Sequence, residues 1–304
     1  MTGAKTALFS RKQRGGVFAI EDQSRSTGDR VYVHSGTGSD AAGYGYTPDK
    51  PVATIDYAVG LCTASQNDII YVMPGHAESI SGATSLVVDV IGVSIIGLGS
   101  GALRPKLTFT AADGTVSVTA ANVRIENIQF YSNFAEIVTA LTVGADADGF
   151  RLINTRWEEA AANKEFLIGV SIAAACHDVG IDGFDWYGVI TGSETSAIVF
   201  AGASNYSYVR NFRIFGDFSG AAIDALTAAS LFMDFGPGVL INVDTTAGLL
   251  ISVKSDTTGF MHDINAMSGK NDVTVVGAAM NYCTIKVTNA AGAQGRIDLP
   301  AVDT

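Results

Sequence analysis

The sequence predicts an all-β protein built as a right-handed parallel β-helix, a solenoid in which successive turns of chain stack on one another. Two observations favour this fold. A pattern of alternating apolar residues recurs every 27 to 30 residues, and the alternation changes phase once inside each copy. The residue at the phase change is small or an amide in all five copies: Gly97, Asn127, Asn154, Gly183 and Asn211. Because Gly and Asn adopt a left-handed backbone most readily, each copy is predicted to be strand, one-residue bend, strand.

Apolar columns on both sides of the bend support the same period. Two residues before it stand Ile95, Ile125, Leu152, Ile181 and Val209, and three residues after it stand Ser100, Phe130, Trp157, Trp186 and Ile214. A leucine-rich repeat has a similar length, but its columns hold Leu and alternate with a helix or a tight turn. These columns hold Ile, Val, Phe and Trp without a helical period, which favours the β-helix with three faces.

Amino-acid composition and net charge limit the kinds of partner and the cellular compartment expected for the protein. The chain has 304 residues, is 47% hydrophobic and contains 34 Gly but only 6 Pro, as expected for many short strands around a large core. Its net charge of −11 predicts no nucleic-acid partner and no attraction to anionic membranes. It has no apolar run of transmembrane length, and its first residues lack the apolar segment of a signal peptide. Three widely spaced cysteines argue against a disulfide framework and predict folding in a reducing host cytoplasm.

The first 30 residues form a separate region, which carries a local charge of +3. One interpretation is a solvated, disordered start, and the other is a basic arm that becomes ordered on an acidic partner surface. The basic residues predicted to contact such a partner are Lys5, Arg11, Lys12 and Arg14.

Residues 31–238 are predicted to form the β-helix. Near its start, residues 54–62 place Ile55, Ala58, Val59 and Cys62 on one apolar helical face, with Thr54 as N-cap. A short helix of this kind would cover the open end of the first turn. Residues 239–304 are predicted to form irregular last turns, a β cap and an extended tail.

The opening of this region resembles a known superfamily. The residues concerned are Val-Tyr-Val at 31–33, a Gly-rich loop, Pro-x-x-Pro-x-x-Thr-Ile-x-x-Ala from Pro48 to Ala58, and Asp-x-Ile-Tyr-Val-x-Pro-Gly from Asp68 to Gly75. They resemble the start of pectin-lyase-like right-handed β-helix proteins, and the resemblance extends over about residues 30–235. Within that superfamily the chain looks most like virion proteins of tailed phages, particularly subunits that decorate the capsid.

Three functional hypotheses follow from the resemblance. The first is a structural virion protein, a homotrimer that binds the major capsid protein or another virion subunit on the outer head surface. The alternative is a carbohydrate-active or sugar-binding β-helix, such as a tail spike, a depolymerase or a polysaccharide lyase. The third is a tail-fibre or tail-spike fragment without enzymatic activity. Tyr44, Tyr46, Tyr206 and Tyr208 are candidates for stacking on sugars.

The most enzyme-like pair is Asp182 and Asp185, since two nearby carboxylates can act as acid and base in a glycoside hydrolase. The column alignment opposes that role, because it places Asp185 between Arg156 and Arg213, and Asp182 beside Arg210. Ladders of exposed ion pairs are the alternative explanation. His76 with Glu78 is predicted to lie on the surface, and the four widely spaced histidines predict no metal site. No cofactor motif is found, and glycoside hydrolysis by this pair is not the favoured function.

Overall fold

The computed structural model describes residues 28–244 and 249–267 in full. It also gives the backbone alone of Ser268 and of four strands, Phe9–Arg11, Phe18–Ile20, Cys283–Asn289 and Gln294–Asp298. The chain forms a β-solenoid of about seven turns with almost no helix, which confirms the predicted fold class. Most strands pair in parallel with the strand one turn earlier and the strand one turn later.

Each turn has three faces. Face 1 precedes the bend and comprises Arg30–Val33, Ile69–Val72, Ser94–Gly97, Arg124–Glu126, Tyr208–Arg210 and Met233–Phe235. Face 2 follows the bend and comprises Ala77–Ile80, Lys106–Phe109, Gln129–Ser132, Phe212–Gly216 and Gly238–Asn242. Three long strands run through the bend and supply both faces: Arg151–Glu159, Gly180–Tyr187 and Gly259–Ser268. Face 3 closes the turn with Leu86–Val88, Val116–Val118, Leu141–Val143, Ile168–Ile172, Ser196–Phe200, Ile223–Ala225 and Ile251–Val253.

The bend between faces 1 and 2 uses the left-handed backbone that the sequence predicts. Its φ values are positive at four of the five anchors, Asn127 (57°), Asn154 (50°), Gly183 (73°) and Asn211 (50°). Gly97 is the exception and ends a strand instead. An inserted segment with a short 3-10 helix, Gly101–Leu103, separates it from face 2. Leu107 therefore pairs with Phe130, and the predicted place of Ser100 in this column is wrong.

The core is an aromatic stack that follows the solenoid axis. Trp157 lies 4.0 Å from Phe130 and 5.7 Å from Trp186 between ring centroids, and both pairs are near-parallel. Both tryptophans and Phe184 are buried, as the columns predict. Stacking one ring on each turn fills the interior at the spacing of the strands, about 4.8 Å.

A short helix, Ile55–Val59, lies against the first turn and begins at Thr54, whose hydroxyl accepts a hydrogen bond from the Tyr57 amide. Its Asp56 carboxylate accepts a hydrogen bond from the Val87 amide of the first face-3 strand. The helix thus supplies a hydrogen-bond partner to the exposed edge of the first face-3 strand, whose unpaired amides could otherwise pair with another strand.

His76 corrects a prediction about the surface, since its side chain is buried. Its Nδ1 accepts a hydrogen bond from the Ser35 amide, and its Nε2 lies 3.0 Å from Glu78 Oε2. The same Glu78 oxygen accepts the Ile55 amide at the start of the helix. His76 therefore links the first turn to its cap.

At the other end, parallel pairing continues through Gly238–Asn242 and Gly259–Ser268. Cys283–Asn289 then pairs antiparallel with Gln294–Asp298. At the beginning of the chain, Phe9–Arg11 and Phe18–Ile20 pair with each other in a two-stranded antiparallel sheet. The side chains of Lys5, Arg11, Lys12 and Arg14, and the extended tail predicted after residue 289, lie outside the fully described residues.

Candidate functional site

Asp182 and Asp185 lie on different faces of the solenoid. Asp182 projects outward from face 1 and Asp185 from face 2, with the Gly183 bend between them. Side chains that point outward on the two sides of such a bend diverge, so the two carboxylates do not approach one substrate atom together. This arrangement does not favour the acid–base pair.

The ion pairs around these residues differ from the predicted ladder in detail. Asp185 lies between Arg156 and Arg213 as predicted, and its two oxygens accept 2.8 Å and 3.0 Å hydrogen bonds from Arg213. Arg156 instead pairs with Glu158 on its own strand. Asp182 is beside Arg210 in the sheet but accepts from Asn211 Nδ2, at 2.7 Å. The predicted Asp182–Arg210 ion pair is wrong, because Arg210 turns toward Asp234 one turn further on.

A second row of left-handed residues follows the corner between faces 3 and 1. The row has positive φ angles on seven successive turns, at Asn67, Gly92, Asn122, Gly149, Asp178, Tyr206 and Phe232. Backbone hydrogen bonds connect the row from turn to turn; for example, the Tyr206 amide donates to the Leu231 carbonyl. The first five residues are Asn, Gly or Asp, which tolerate this conformation, and the last two are bulky aromatics that rarely adopt it.

Tyr206 and Phe232 form an exposed aromatic pair at this corner. Their ring centroids are 5.1 Å apart and their planes are within 11° of parallel. Tyr206 is 61% exposed and Phe232 is 58% exposed. Because the centroid separation exceeds van der Waals contact, the rings are offset and each leaves part of its face uncovered.

Strain makes this pair more informative than an ordinary exposed aromatic. A bulky residue in the left-handed region costs on the order of 1–3 kcal/mol, whereas the Gly or Asn found elsewhere in the row avoids most of that cost. The backbone of these two turns therefore does not explain the choice of Tyr206 and Phe232. Strain of this kind concentrates at functional positions.

Polar groups lie on face 1 next to the pair. The guanidinium of Arg210 lies over the Tyr208 ring, 4.7 Å from the ring centroid, in a cation–π contact. Arg210 in turn donates to Asp234 Oδ2, and Asp234 Oδ1 lies 3.1 Å from His262 Nε2. One further aromatic, Phe260, is 54% exposed and pairs with Asp234 in the sheet. We define Tyr206, Phe232, Tyr208, Arg210, Asp234 and Phe260 as the aromatic corner.

The aromatic corner combines ring faces with groups that donate and accept hydrogen bonds. Such a surface suits a ligand with apolar C–H faces and many hydroxyls, because the rings take the apolar faces while Arg210 and Asp234 orient the hydroxyls. Of the four predicted sugar-stacking tyrosines, only Tyr206 and Tyr208 belong to it. Tyr44 and Tyr46 lie in the loop before the capping helix, near the first turn.

Sequence reasoning missed Phe232 and Phe260. A signal existed, since Asn122, Gly149 and Asp178 stand at turn spacing before Tyr206, and Phe232 follows at the same interval. The bend between faces 1 and 2 gives the stronger signal, because Gly or Asn occupies it in all five copies of the repeat.

The described residues present no group of three His, Cys, Asp or Glu side chains placed to hold a metal ion. Among the same residues, no helix is both long and apolar enough to cross a bilayer.

Comparisons with known proteins give one similar fold. No family model matches the sequence, and no curated protein is similar to it. One solved structure that resembles the chain is a rhamnogalacturonan lyase, with a TM-score of 0.46 and 10% sequence identity; the match covers 86% of this chain and 67% of that one. At this level of similarity, function has to be inferred from the chain's own residues.

Proposed function

We propose that the protein binds a carbohydrate chain at the aromatic corner. The observation that carries the proposal is the pair Tyr206 and Phe232, exposed and stacked in a backbone conformation that bulky residues avoid. An extended polysaccharide that lies along the solenoid axis would meet one ring on each of the two turns that carry Tyr206 and Phe232. Arg210 would donate hydrogen bonds to its hydroxyls, and Asp234, held next to Arg210 by their ion pair, would accept hydrogen bonds from them.

Charge supports a carbohydrate over a nucleic acid, the other polymer that stacks on exposed aromatics. Single-stranded nucleic acids need a positively charged groove as well as stacking rings. This chain carries a net charge of −11, and both Arg210 and Arg213 are already paired with carboxylates. A hydroxyl-rich ligand does not require the missing positive charge.

The test uses an array of bacterial surface and plant polysaccharides, followed by affinity electrophoresis with the best binder. The double variant Tyr206→Ala/Phe232→Ala is expected to bind at least about tenfold more weakly, which corresponds to about 1.4 kcal/mol. Tyr46→Ala is the matched control, because Tyr46 is 56% exposed near the other end of the solenoid. Unchanged affinity in the double variant, or no binding to any polysaccharide, would reject the proposal. Release of new chain ends from the bound polysaccharide would indicate a depolymerase or lyase.

A structural virion subunit is the second candidate, favoured by exposed apolar side chains on the loops between faces 2 and 3. Val138 is 57% exposed and Ile190 is 61% exposed, and Phe134 adds a partly exposed ring on the first of these loops. Large apolar side chains exposed to water are a feature of surfaces that contact other proteins. The partner proposed for this surface is the major capsid protein, with the subunit bound as a homotrimer on the outer head.

Co-sedimentation with intact tailed-phage capsids tests this candidate. Ile190→Asp is expected to abolish attachment, whereas Thr191→Asp, which places the same charge on the neighbouring exposed residue, is expected to retain it. Deleting residues 1–30 should also weaken attachment in a salt-dependent way if Lys5, Arg11, Lys12 and Arg14 contact the partner. Binding that is equal in all variants would exclude both contacts.

A further inference from the structure

Three glutamates lie in or beside the core where the chain leaves face 2. Glu165 is 3% exposed and Glu194 is 0% exposed, while Glu159 is partly buried at the end of its strand. Buried carboxylates normally pair with a cation. None of the ion pairs among the described residues includes any of these three glutamates.

Two glycines make room for the Glu194 side chain. A Cβ on Gly188 would lie 2.5 Å from Glu194 Oε1 and 2.8 Å from Trp186 Nε1. A Cβ on Gly192 would lie 2.6 Å from the Glu194 carboxyl carbon. Any larger residue at either position would displace the carboxyl group, so the loop of residues 188–195 is shaped around it.

Hydrogen-bond donors are distributed unequally in this cluster. Glu159 accepts the amides of Phe166 and Val189, at 3.1 Å and 3.0 Å, and Glu165 Oε1 accepts the Ser193 hydroxyl. Both oxygens of Glu194 are buried and receive no N–H or O–H donor in hydrogen-bonding geometry, and the buried Trp186 Nε1 has no acceptor. A carboxylate in that position is far less stable than a carboxylic acid, whose O–H can donate.

The titration behaviour agrees with this geometry. Burial raises the pKa of Glu159 to about 10, with further increases from the charge of Glu194 and from their mutual hydrogen bond. Burial also raises the pKa of Glu194. The other charged groups nearby do not compensate: Asp217 and Asp244 are acidic, and Lys164 donates to Asn133.

We propose that Glu159 and Glu194 share one proton, and that this carboxyl–carboxylate hydrogen bond fastens the loop of residues 188–195 to the preceding turn. The O–H of one carboxyl group donates to an oxygen of the other. When hydroxide removes the proton as water, two adjacent buried carboxylates remain, and their repulsion opens the loop. Glu159 would lose its Val189 donor as the loop opens.

The sign of the effect follows from proton binding. An acid whose pKa is raised on folding binds more protons in the folded state than in the unfolded state. Its stabilising contribution is complete below the unfolded pKa of about 4.3 and is lost as the pH rises toward about 10. Within that window, if the folded state binds one more proton than the unfolded state, the unfolding constant rises about tenfold for each unit by which the pH increases.

The test measures urea unfolding of the full chain at pH 5, 7 and 9. Glu194→Gln keeps the shape, and its amide can donate to Glu159 permanently. In the wild type the shared proton is expected to raise the unfolding constant about tenfold per pH unit. The variant is expected to lack this part of the pH dependence. The control Glu158→Gln removes an adjacent, partly exposed carboxylate and should keep the wild-type slope. Equal slopes in wild type and Glu194→Gln would overturn the proposal.

A second measurement keeps the test decisive if Glu194→Gln does not fold. Trp157→Phe leaves Trp186 as the single tryptophan, and its indole borders Glu194. Its emission is expected to titrate with a midpoint well above pH 4.3. A midpoint near pH 4.3, or no titration between pH 4 and 10, would show that Glu194 ionises normally or not at all in the fold and would contradict the shared proton.

Discussion

The rings of Tyr206 and Phe232 stack at 5.1 Å on consecutive turns, although both residues adopt the left-handed backbone that the preceding turns give to Asn, Gly and Asp. The two rings gain some energy from their mutual contact, about 0.5–1.5 kcal/mol beyond buried area. That gain is comparable to the backbone strain and does not clearly exceed it. Stability alone therefore does not account for the pair.

Tyr206→Asn separates binding from stability at this position. Asn relieves the backbone strain but removes the ring, so the free energy of unfolding is expected to stay the same or to rise by up to about 1 kcal/mol. Binding of the polysaccharide selected from the array should fall. Urea unfolding and affinity electrophoresis on the same protein give both values. A loss of stability well above 1 kcal/mol would mean that the ring mainly supports the fold.

Trp186→Ala and Asp185→Ala test the alternation on face 2. Trp186 is buried within the aromatic core, so its truncation is expected to lower the free energy of unfolding by about 3–5 kcal/mol. Asp185 is outward and pairs with a largely exposed Arg213, so its loss should cost less than about 1 kcal/mol. Chemical denaturation of the two variants gives the comparison, and similar midpoints would contradict the assignment of the faces.

Asp182→Asn/Asp185→Asn tests whether the acidic pair has a chemical role. The carboxylates diverge on two faces, so the double variant is expected to fold, to bind polysaccharide like the wild type and to show the same activity in any cleavage assay. Viscometry and measurement of reducing ends on the bound polysaccharide provide the readout. Cleavage that is present in the wild type and absent in this variant would assign catalysis to the pair.

Asn242→Ala tests a buried polar clamp in the later turns. The Asn242 amide accepts from Phe218 and Asp244 and donates to the carbonyls of Phe218 and Leu249, all within 3.1 Å. Removing it leaves buried backbone groups unpaired, with an expected loss of about 3 kcal/mol. Asn265→Ala, at an exposed position, is the control and should be nearly neutral. Equal melting temperatures for the two variants would show that water replaces the clamp.

The sequence predicts the core and the main bend because both depend on local rules repeated at turn spacing. Strand alternation places Phe184 and Trp186 inside, and Asn or Gly supplies the left-handed bend. The insertion after Gly97 escapes such rules, since an added loop changes which residue reaches face 2 without changing the apolar pattern before it. Residue spacing therefore predicts Ser100 in a column that Leu107 occupies.

The two candidate sites depend on features with less sequence signal. Glu194 is buried because of the path of an irregular loop and because Gly188 and Gly192 lack a Cβ. Neither feature repeats from turn to turn in the sequence. The partner of Arg210 depends on a choice between two acids one turn away on either side. Only side-chain packing makes that choice, and here it favours Asp234 over Asp182.

The insertion between Gly97 and Lys106 leaves the pairing of the next turns undisturbed, since Ser94–Gly97 and Lys106–Phe109 both pair in parallel with strands of the following turn. Chain length at the corners is thus uncoupled from the register of the sheet. Mutations that lengthen a loop therefore change the surface of one turn, while the paired strands of the neighbouring turns keep their positions. Such a scaffold can acquire new recognition loops by insertion in a few steps, without first losing the ability to fold.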